Sequence, residues 1–340
     1  MNRENTSADS LDISIIMPVY NGKDFIVQSL PPLIGMMNRG EIREVIVVDD
    51  TSSDNTAQIA ADLGARVIPS GGRLGPGAAR NEAAKLADGD ILWFVDADVI
   101  IHDDAASYME EGFASAEVVA VFGSYDDKPP AENFLSQYKN LVHHFYHHRG
   151  RKQANTFWSG CGAVRKDAFL KAGGFDIEKF KRPSIEDIEL GYRLREAGGK
   201  IMLFPELQST HLKEWRLINL LHTEIFCRAI PWSRLMLEQT TMEDDLNVSN
   251  KERLRAALAG LLFLTLLAVI PGWLPWWTAV VMICVSIFVN KKLFLLFYRR
   301  KGLLFALMGI GYHQIYYLYS SAAFVYCILE SKIKKIFSRS

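Results

Sequence analysis

The sequence predicts an α/β domain built on a mostly parallel sheet, followed by apolar helices toward the C-terminal end. Three observations carry this. Short apolar runs alternate with helix-like stretches through the first hundred residues. Those apolar runs are continuous, as in strands buried on both faces. Charge also divides along the chain: residues 251–340 hold 12 Lys and Arg against two acids, Glu252 and Glu330, a net of +10, so residues 1–250 carry −11. An acidic first part and a basic, apolar last part indicate a soluble domain on a membrane anchor.

The elements follow in order. ISIIMPVY (13–20) is strand-like, and GKDFIVQSLPPLIGMMNRG (22–40) has helical spacing around Pro31 and Pro32. EVIVVDD (44–50) is a strand; SSDNTAQIAADLG (52–64) has cap residues, a short helix and a glycine stop. ARVIPS (65–70) is a brief strand, GPGAARNEAAKLADG (75–89) a glycine-led, alanine-rich helix, and ILWFVDAD (91–98) closes the series. In such sheets ligands bind beyond the carboxyl ends of the strands. Tyr20-Asn21, Asp49-Asp50 and Asp96/Asp98 all stand at those ends. Farther on the pattern is mixed. VVAVFGSY (118–125) reads as a strand, ENFLSQYKNLVHHFYHHR (132–149) as an amphipathic helix, FWSGCGAV (157–164) as glycine-rich and partly strand-like, and IEDIELGYRLREAG (185–198) as a helix.

The tail changes character. Residues 254–270 and 276–289 are apolar runs joined by PGWLP, and 302–329 is apolar and aromatic. A span needs roughly 17–25 apolar residues. The expectation is two or three transmembrane helices in 254–330, with tryptophans at the interface. The expected divisions are a polar tail (1–11), a catalytic domain (12–240), a linker (241–253), the membrane region and a basic tail (331–340). The basic clusters before 254 and after 290 favour the cytoplasmic side. The N-terminus, MNRENTSADSLD, has no signal-peptide core, so the first domain is expected in the cytoplasm at the cell membrane. Nucleic acid is not an expected partner, because the basic residues flank apolar runs. Cys161, Cys227, Cys284 and Cys327 show no CxxC spacing, which argues against a zinc site or a disulfide framework.

Chemistry concentrates at FVDADV (94–99). Residues i and i+2 of a strand share a side, and two like carboxylates held together repel unless a cation sits between them. Mg²⁺ and Mn²⁺ prefer oxygen ligands and bridge carboxylates to phosphates. Asp96 and Asp98 therefore suggest a metal–diphosphate site. An isolated DxD is weak, and a solvated turn explains most of them. Here it follows PVYNG (18–22), VVDDTSSDNT (47–56) and GPGAARN (75–81) in order.

That ordered set resembles the nucleotide-diphospho-sugar transferases of glycosyltransferase family 2, inverting enzymes with the GT-A fold, over about residues 12–235. The resemblance implies a nucleotide-sugar donor and a Mg²⁺ or Mn²⁺ cofactor. It implies that Pro18, Tyr20 and Asn21 border the nucleoside. Asp49 or Asp50 would accept a hydrogen bond from the base, near Ser53. Gly77, Arg80 and Asn81 would line the nucleotide. Asp96 would meet the ribose or metal and Asp98 the metal, with Ala97 between them. His211, in STHLKEW, is a candidate third metal ligand and equally a structural histidine. The family carries an acidic pair in its second half. Here Glu186-Asp187 opens a helix, where the dipole favours negative charge. By resemblance Asp187 deprotonates the acceptor hydroxyl and Glu186 orients it.

FWSGCGAV looks like the acceptor-side loop, which makes Trp158 and Gly160 acceptor candidates; Trp158 is equally a core residue. RAIPW (228–232) is similar to the QxxRW motif of processive members, but Arg228 replaces glutamine and Pro231 replaces arginine, and only Trp232 stays. Processive synthesis is therefore disfavoured, while Arg228 or Arg234 can still neutralise diphosphate. His143/His147 and His144/His148 are i,i+4 pairs. A membrane- or acceptor-facing helix explains them better than a metal. The expected function is a membrane-bound transferase acting on a lipid or glycan acceptor. The alternatives are a polyprenyl-phosphate sugar synthase and, in another class, a non-catalytic sugar-nucleotide sensor. Retention of both acidic pairs argues against the sensor.

Overall fold

The computed structural model describes residues 11–238, Leu246 and residues 249–337. Most of the polar N-terminal tail, much of the linker and the last three residues of the basic tail lie outside the described residues. The chain forms two units: Met1–Ala131 with Gly150–Glu214, and Glu132–Arg149 with Trp215–Ser340.

Among the described residues the first unit holds nine strands: β1 (Ile13–Val19), β2 (Glu44–Asp49), β3 (Arg66–Pro69), β4 (Ile91–Val95), β5 (Val99–Ile101), β6 (Val118–Tyr125), β7 (Gln153–Ala154), β8 (Cys161–Arg165) and β9 (Lys200–His211). They form one sheet in the order β3-β2-β1-β4-β8-β6-β9-β5, with β7 on β9. From β3 to β4 every pairing is parallel. β8 then enters antiparallel to both β4 and β6, and β5 and β7 pair antiparallel with β9. The sheet is therefore mixed beyond β4, where the sequence pattern was also mixed.

Every residue of β1 and β4 is buried, which explains their unbroken apolar runs. One face packs Leu30, Leu33 and Met36 of helix Lys23–Asn38 against Ile15, Met17 and Trp93. Near the other, Phe94, Phe169 and Phe175 form an edge-on and tilted cluster at 5.3–5.4 Å. Helix Pro76–Leu86 starts at Gly75 with Pro76 in its first turn, and it buries Ala78, Ala79, Ala83 and Ala84. The small side chains let this helix lie close to its neighbours.

The second unit is helical. Tyr138, Leu141, Val142 and Phe145 of helix Phe134–His147 pack with Leu293, Phe294 and Phe297. Glu252 is buried and accepts the Tyr146 and Tyr317 hydroxyls at 2.9 and 2.7 Å. The helices Asn250–Val269 and Trp276–Val289 follow, and Lys291–Phe337 is broken at Gly302, whose φ of +84° favours glycine. Leu264, Ile270, Trp273, Trp276, Leu304 and Phe337 are all exposed. Among the described residues, no single helix is long and apolar enough to cross a membrane. The pair Trp276–Val289 and Lys291–Phe337, bent by 77°, passes that test together.

Candidate functional site

β1, β2 and β4 are parallel, so their carboxyl ends bring Tyr20-Asn21, Asp49-Asp50 and Asp96 to one edge of the first unit. At the first of these, Pro18 lies buried in β1 opposite Val48, and Tyr20 is exposed beneath the Arg73 guanidinium, 4.1 Å from its ring centre. Asn21 has a φ of +47° and joins two loops. Its side-chain oxygen accepts the Ser53 amide at 2.8 Å, and its own amide donates to Ser52 Oγ at 2.9 Å. Asn21 and Ser53 are thus engaged with each other.

The two aspartates at the end of β2 separate in role. Asp50 is buried and accepts Ser70 Oγ–H at 2.7 Å and the Leu74 and Gly75 amides at 2.9 Å each. It pins the loop leading into helix Pro76–Leu86. The Asp49 carboxylate accepts the Ser52 amide at 3.3 Å and is the half-exposed member of the pair. Of the two candidates for base recognition, Asp49 is the less buried. Asp50→Ala strands a hydroxyl and two amides. It is expected to cost about 2–4 kcal/mol in chemical denaturation, with a rise in donor KM as the loop loosens.

Asp96 and Asp98 do not lie on a strand. β4 ends at Val95, and a turn closes with the Val99 amide on the Asp96 carbonyl at 3.0 Å. The i,i+2 strand expectation is corrected accordingly; the turn keeps the two carboxylates neighbours by a tighter route. Ala97 contributes its carbonyl to Ser29 Oγ–H at 2.7 Å. Arg80, buried on helix Pro76–Leu86, donates to Asp96. His211 Nε2 stands 3.5 Å from Asp98 Oδ2 and stacks on Tyr125 at 4.4 Å.

The electrostatics match this crowding. Desolvation holds the Asp96 carboxyl above its usual range against the pull of Arg80, and Asp98 and Asp187 add repulsion. Asp98 goes the other way. Despite its own desolvation, the hydrogen bond and charge of His211, with Lys213 beyond, hold it below the ordinary carboxylate range. Among the described residues, no group of three or more His, Cys, Asp or Glu is placed so that it could hold a metal ion. In donor type alone, Asp96, Asp98 and His211 suit a divalent ion. Two carboxylates and an imidazole are a hard-to-borderline donor set, and the mutual repulsion at Asp96 is what a cation would relieve.

Glu186-Asp187 opens helix Glu186–Glu196. Asp187 Oδ2 accepts the Ser159 amide at 3.1 Å and Ser159 Oγ–H at 3.3 Å, and Oδ1 accepts the Ile188 amide at 2.9 Å. Glu186 is buried and accepts the Ser184 amide at 2.7 Å. Burial first, and repulsion from Asp187 second, push its carboxyl up to about 7. Folded Glu186 therefore holds a proton over a range where the unfolded chain has lost it. Stability should fall as pH rises from about 4.5 to about 7, by on the order of 2 kcal/mol. Glu186→Gln should flatten that part of the stability–pH curve.

Other candidates take different places. Gly77 is buried beside Phe175 and Glu186, and a Cβ there would meet them at ordinary contact distances of 3.6 and 3.8 Å. Asn81 does not face outward; its amide donates to the Phe175 carbonyl and accepts the Phe175 amide, both at 2.8 Å. It fastens the loop formed by residues 173–176 (GGFD), where Gly174 has φ +70° and no room for a Cβ beside Asn81. Trp158 lies over Gly160 and meets Tyr125 edge-on at 4.8 Å. Arg228 and Trp232 belong to the second unit. There Arg228, on the π-helix Thr223–Ala229, pairs with Glu224 at 3.0 Å, and Trp232 lies half-buried on helix Ile230–Glu238. The paired histidines lie with ring centres 3.8 Å apart and their planes tilted by 32°. Sequence reasoning missed Tyr125 and Ser159. Tyr125 ends a recognised strand beside Asp126, and Ser159 sits inside the quoted FWSGCGAV run.

Residues 14–173 match the family model described as Glycosyl transferase family 2. A poly(ribitol-phosphate) beta-glucosyltransferase of Bacillus spizizenii is 38% identical over 28% of this chain and 16% of its own length. A probable glycosyltransferase of Bacillus subtilis, YdaM, is 27% identical over 57% of this chain and 49% of its own. This chain thus spans under half the length of these relatives. A mannosyltransferase from Pyrobaculum calidifontis, solved with GDP-mannose and Mn²⁺, superposes with TM-score 0.59 at 18% identity, over 94% of this chain and 88% of its own. At that identity the likeness speaks for the fold, which is the GT-A glycosyltransferase arrangement.

Proposed function

From a chain that carries a glycosyl transferase family 2 domain over residues 14–173, we propose a membrane-bound, inverting sugar transfer from a nucleoside-diphosphate sugar to an acceptor hydroxyl. One observation carries it: consecutive residues tie the two acidic sites together, Ser159 donating its amide to the helix-borne Asp187 at 3.1 Å and Gly160 accepting the Asp96 amide at 3.2 Å. A nucleotide sensor has no use for that second carboxylate.

Asp49 and the Tyr20 edge would receive the nucleoside. Asp96, Asp98 and His211 would hold Mg²⁺ or Mn²⁺, which supplies positive charge to the departing diphosphate when bound. Asp187 takes the proton from the acceptor hydroxyl. The oxygen bonds to the anomeric carbon as the bond to the diphosphate breaks and its electron pair leaves with the diphosphate. Glu186, protonated near neutrality, keeps a second full charge away from Asp187.

The exposed apolar side chains of the second unit support membrane contact and a lipid or lipid-linked acceptor. Cytoplasmic placement of the first unit is part of the same reading. The test is nucleotide release from UDP-, GDP- and TDP-sugars by membranes carrying the chain. It is run with Mn²⁺ or Mg²⁺, with and without lipid extract. Metal-dependent release from one donor, stimulated by lipid, is the expected result. A polyprenyl phosphate as the sole effective acceptor would move the assignment to a polyprenyl-phosphate sugar synthase. Binding of a donor with no release to any acceptor would favour the sensor.

A further inference from the structure

We infer that Ser159 is the positioning residue of the base. Its amide and hydroxyl hold Asp187 so that Oδ1, not Oδ2, receives the acceptor's proton. This rests on Asp187 being the base. A carboxylate oxygen offers two lone pairs. Both on Oδ2 are taken by Ser159, through its amide at 3.1 Å and its hydroxyl at 3.3 Å. Oδ1 accepts one amide, that of Ile188 at 2.9 Å, and keeps one lone pair. In the transfer, the acceptor's proton goes to Oδ1, the acceptor oxygen bonds to the anomeric carbon, and the diphosphate leaves with the broken bond's electrons. Ser159 keeps its own proton throughout.

The hold is stiff because the segment around Ser159 is fixed at both sides. Ser159 itself is 5% exposed. The next residue, Gly160, accepts the Asp96 amide on its carbonyl at 3.2 Å, so the segment is tied to the metal-side turn. The Trp158 indole lies against Gly160, where an added Cβ would stand 2.6 Å from the ring. Phe157 passes so close to Gly191, on the helix that carries Asp187 in its first turn, that a Cβ there would be 2.5 Å from its amide nitrogen. Residues 157–160 therefore strap the base's helix to the turn bearing Asp96 and Asp98. Ser159 sets how far the base stands from the metal side.

The test uses the full chain with Ser159→Ala and Ser159→Thr, each alone and combined with Asp187→Ala. Turnover and thermal unfolding are both read. Ser159→Ala is expected to lower kcat about tenfold or more, with donor KM unchanged, and Ser159→Thr, which keeps the hydroxyl, to recover most of it. Ser159→Ala should lower Tm by about 2–4 °C in the wild type and by much less beside Asp187→Ala. Equal Tm losses in the two backgrounds would overturn the clamp. Wild-type kcat in Ser159→Ala, with Asp187→Ala inactive, would overturn the positioning role. Turnover surviving Asp187→Ala would instead remove the base reading, while the Tm coupling would still report the hydrogen bonds.

Discussion

Asp187→Asn is expected to lower sugar transfer by about 10²–10⁴-fold while metal-dependent binding of the nucleoside diphosphate stays near wild type. Asparagine is nearly isosteric and its oxygen can still accept from Ser159, at the loss of the Ile188 amide bond on the other side, so the helix start should largely survive. What it cannot do is take a proton. The measurement pairs steady-state turnover with nucleotide titration. A parallel loss of binding would make Asp187 structural. Full turnover would move the base elsewhere, with Glu186 the neighbouring carboxyl that already binds a proton near neutrality.

Asp98→Ala should remove both metal dependence and most turnover, by about 10²–10³-fold. Asp98 is the carboxylate that His211 faces, while Arg80 already donates to Asp96. Removing it leaves an imidazole and an arginine-covered carboxylate, a poor set for a hard cation. Nucleotide binding measured against Mn²⁺ concentration should lose its metal response. A variant that still binds nucleotide in a Mn²⁺-dependent way would place the metal elsewhere.

Much of this was legible before the structure. β1, β2 and β4 were visible as unbroken apolar runs because each is buried on both faces. Helix Pro76–Leu86 announced itself by Gly75, Pro76 and its alanines. The acids at 49–50, 96–98 and 186–187 could be picked out because strand ends and helix starts are where charge is tolerated. Their individual roles could not. Asp50 and Asn81 look like site residues in sequence, yet each satisfies backbone groups of a loop up to 94 residues away. Such pairings leave no local pattern. Ser159 was hidden for the same reason, 28 residues from Asp187. Helix Phe134–His147 was read as part of the catalytic domain, but it clusters with the C-terminal helices because its Tyr138, Leu141 and Phe145 pack on Leu293 and Phe297. Its amphipathic pattern states that one face is covered, not by what.

The central claim is a single displacement driven by one base, and the product's anomeric configuration tests it most directly. With the donor found by the nucleotide-release panel, proton NMR of the first-formed glycoside reads the coupling at the anomeric carbon. Inversion relative to the donor is predicted. Retention would require a second displacement or a different attacking face, and would contradict the role given to Asp187.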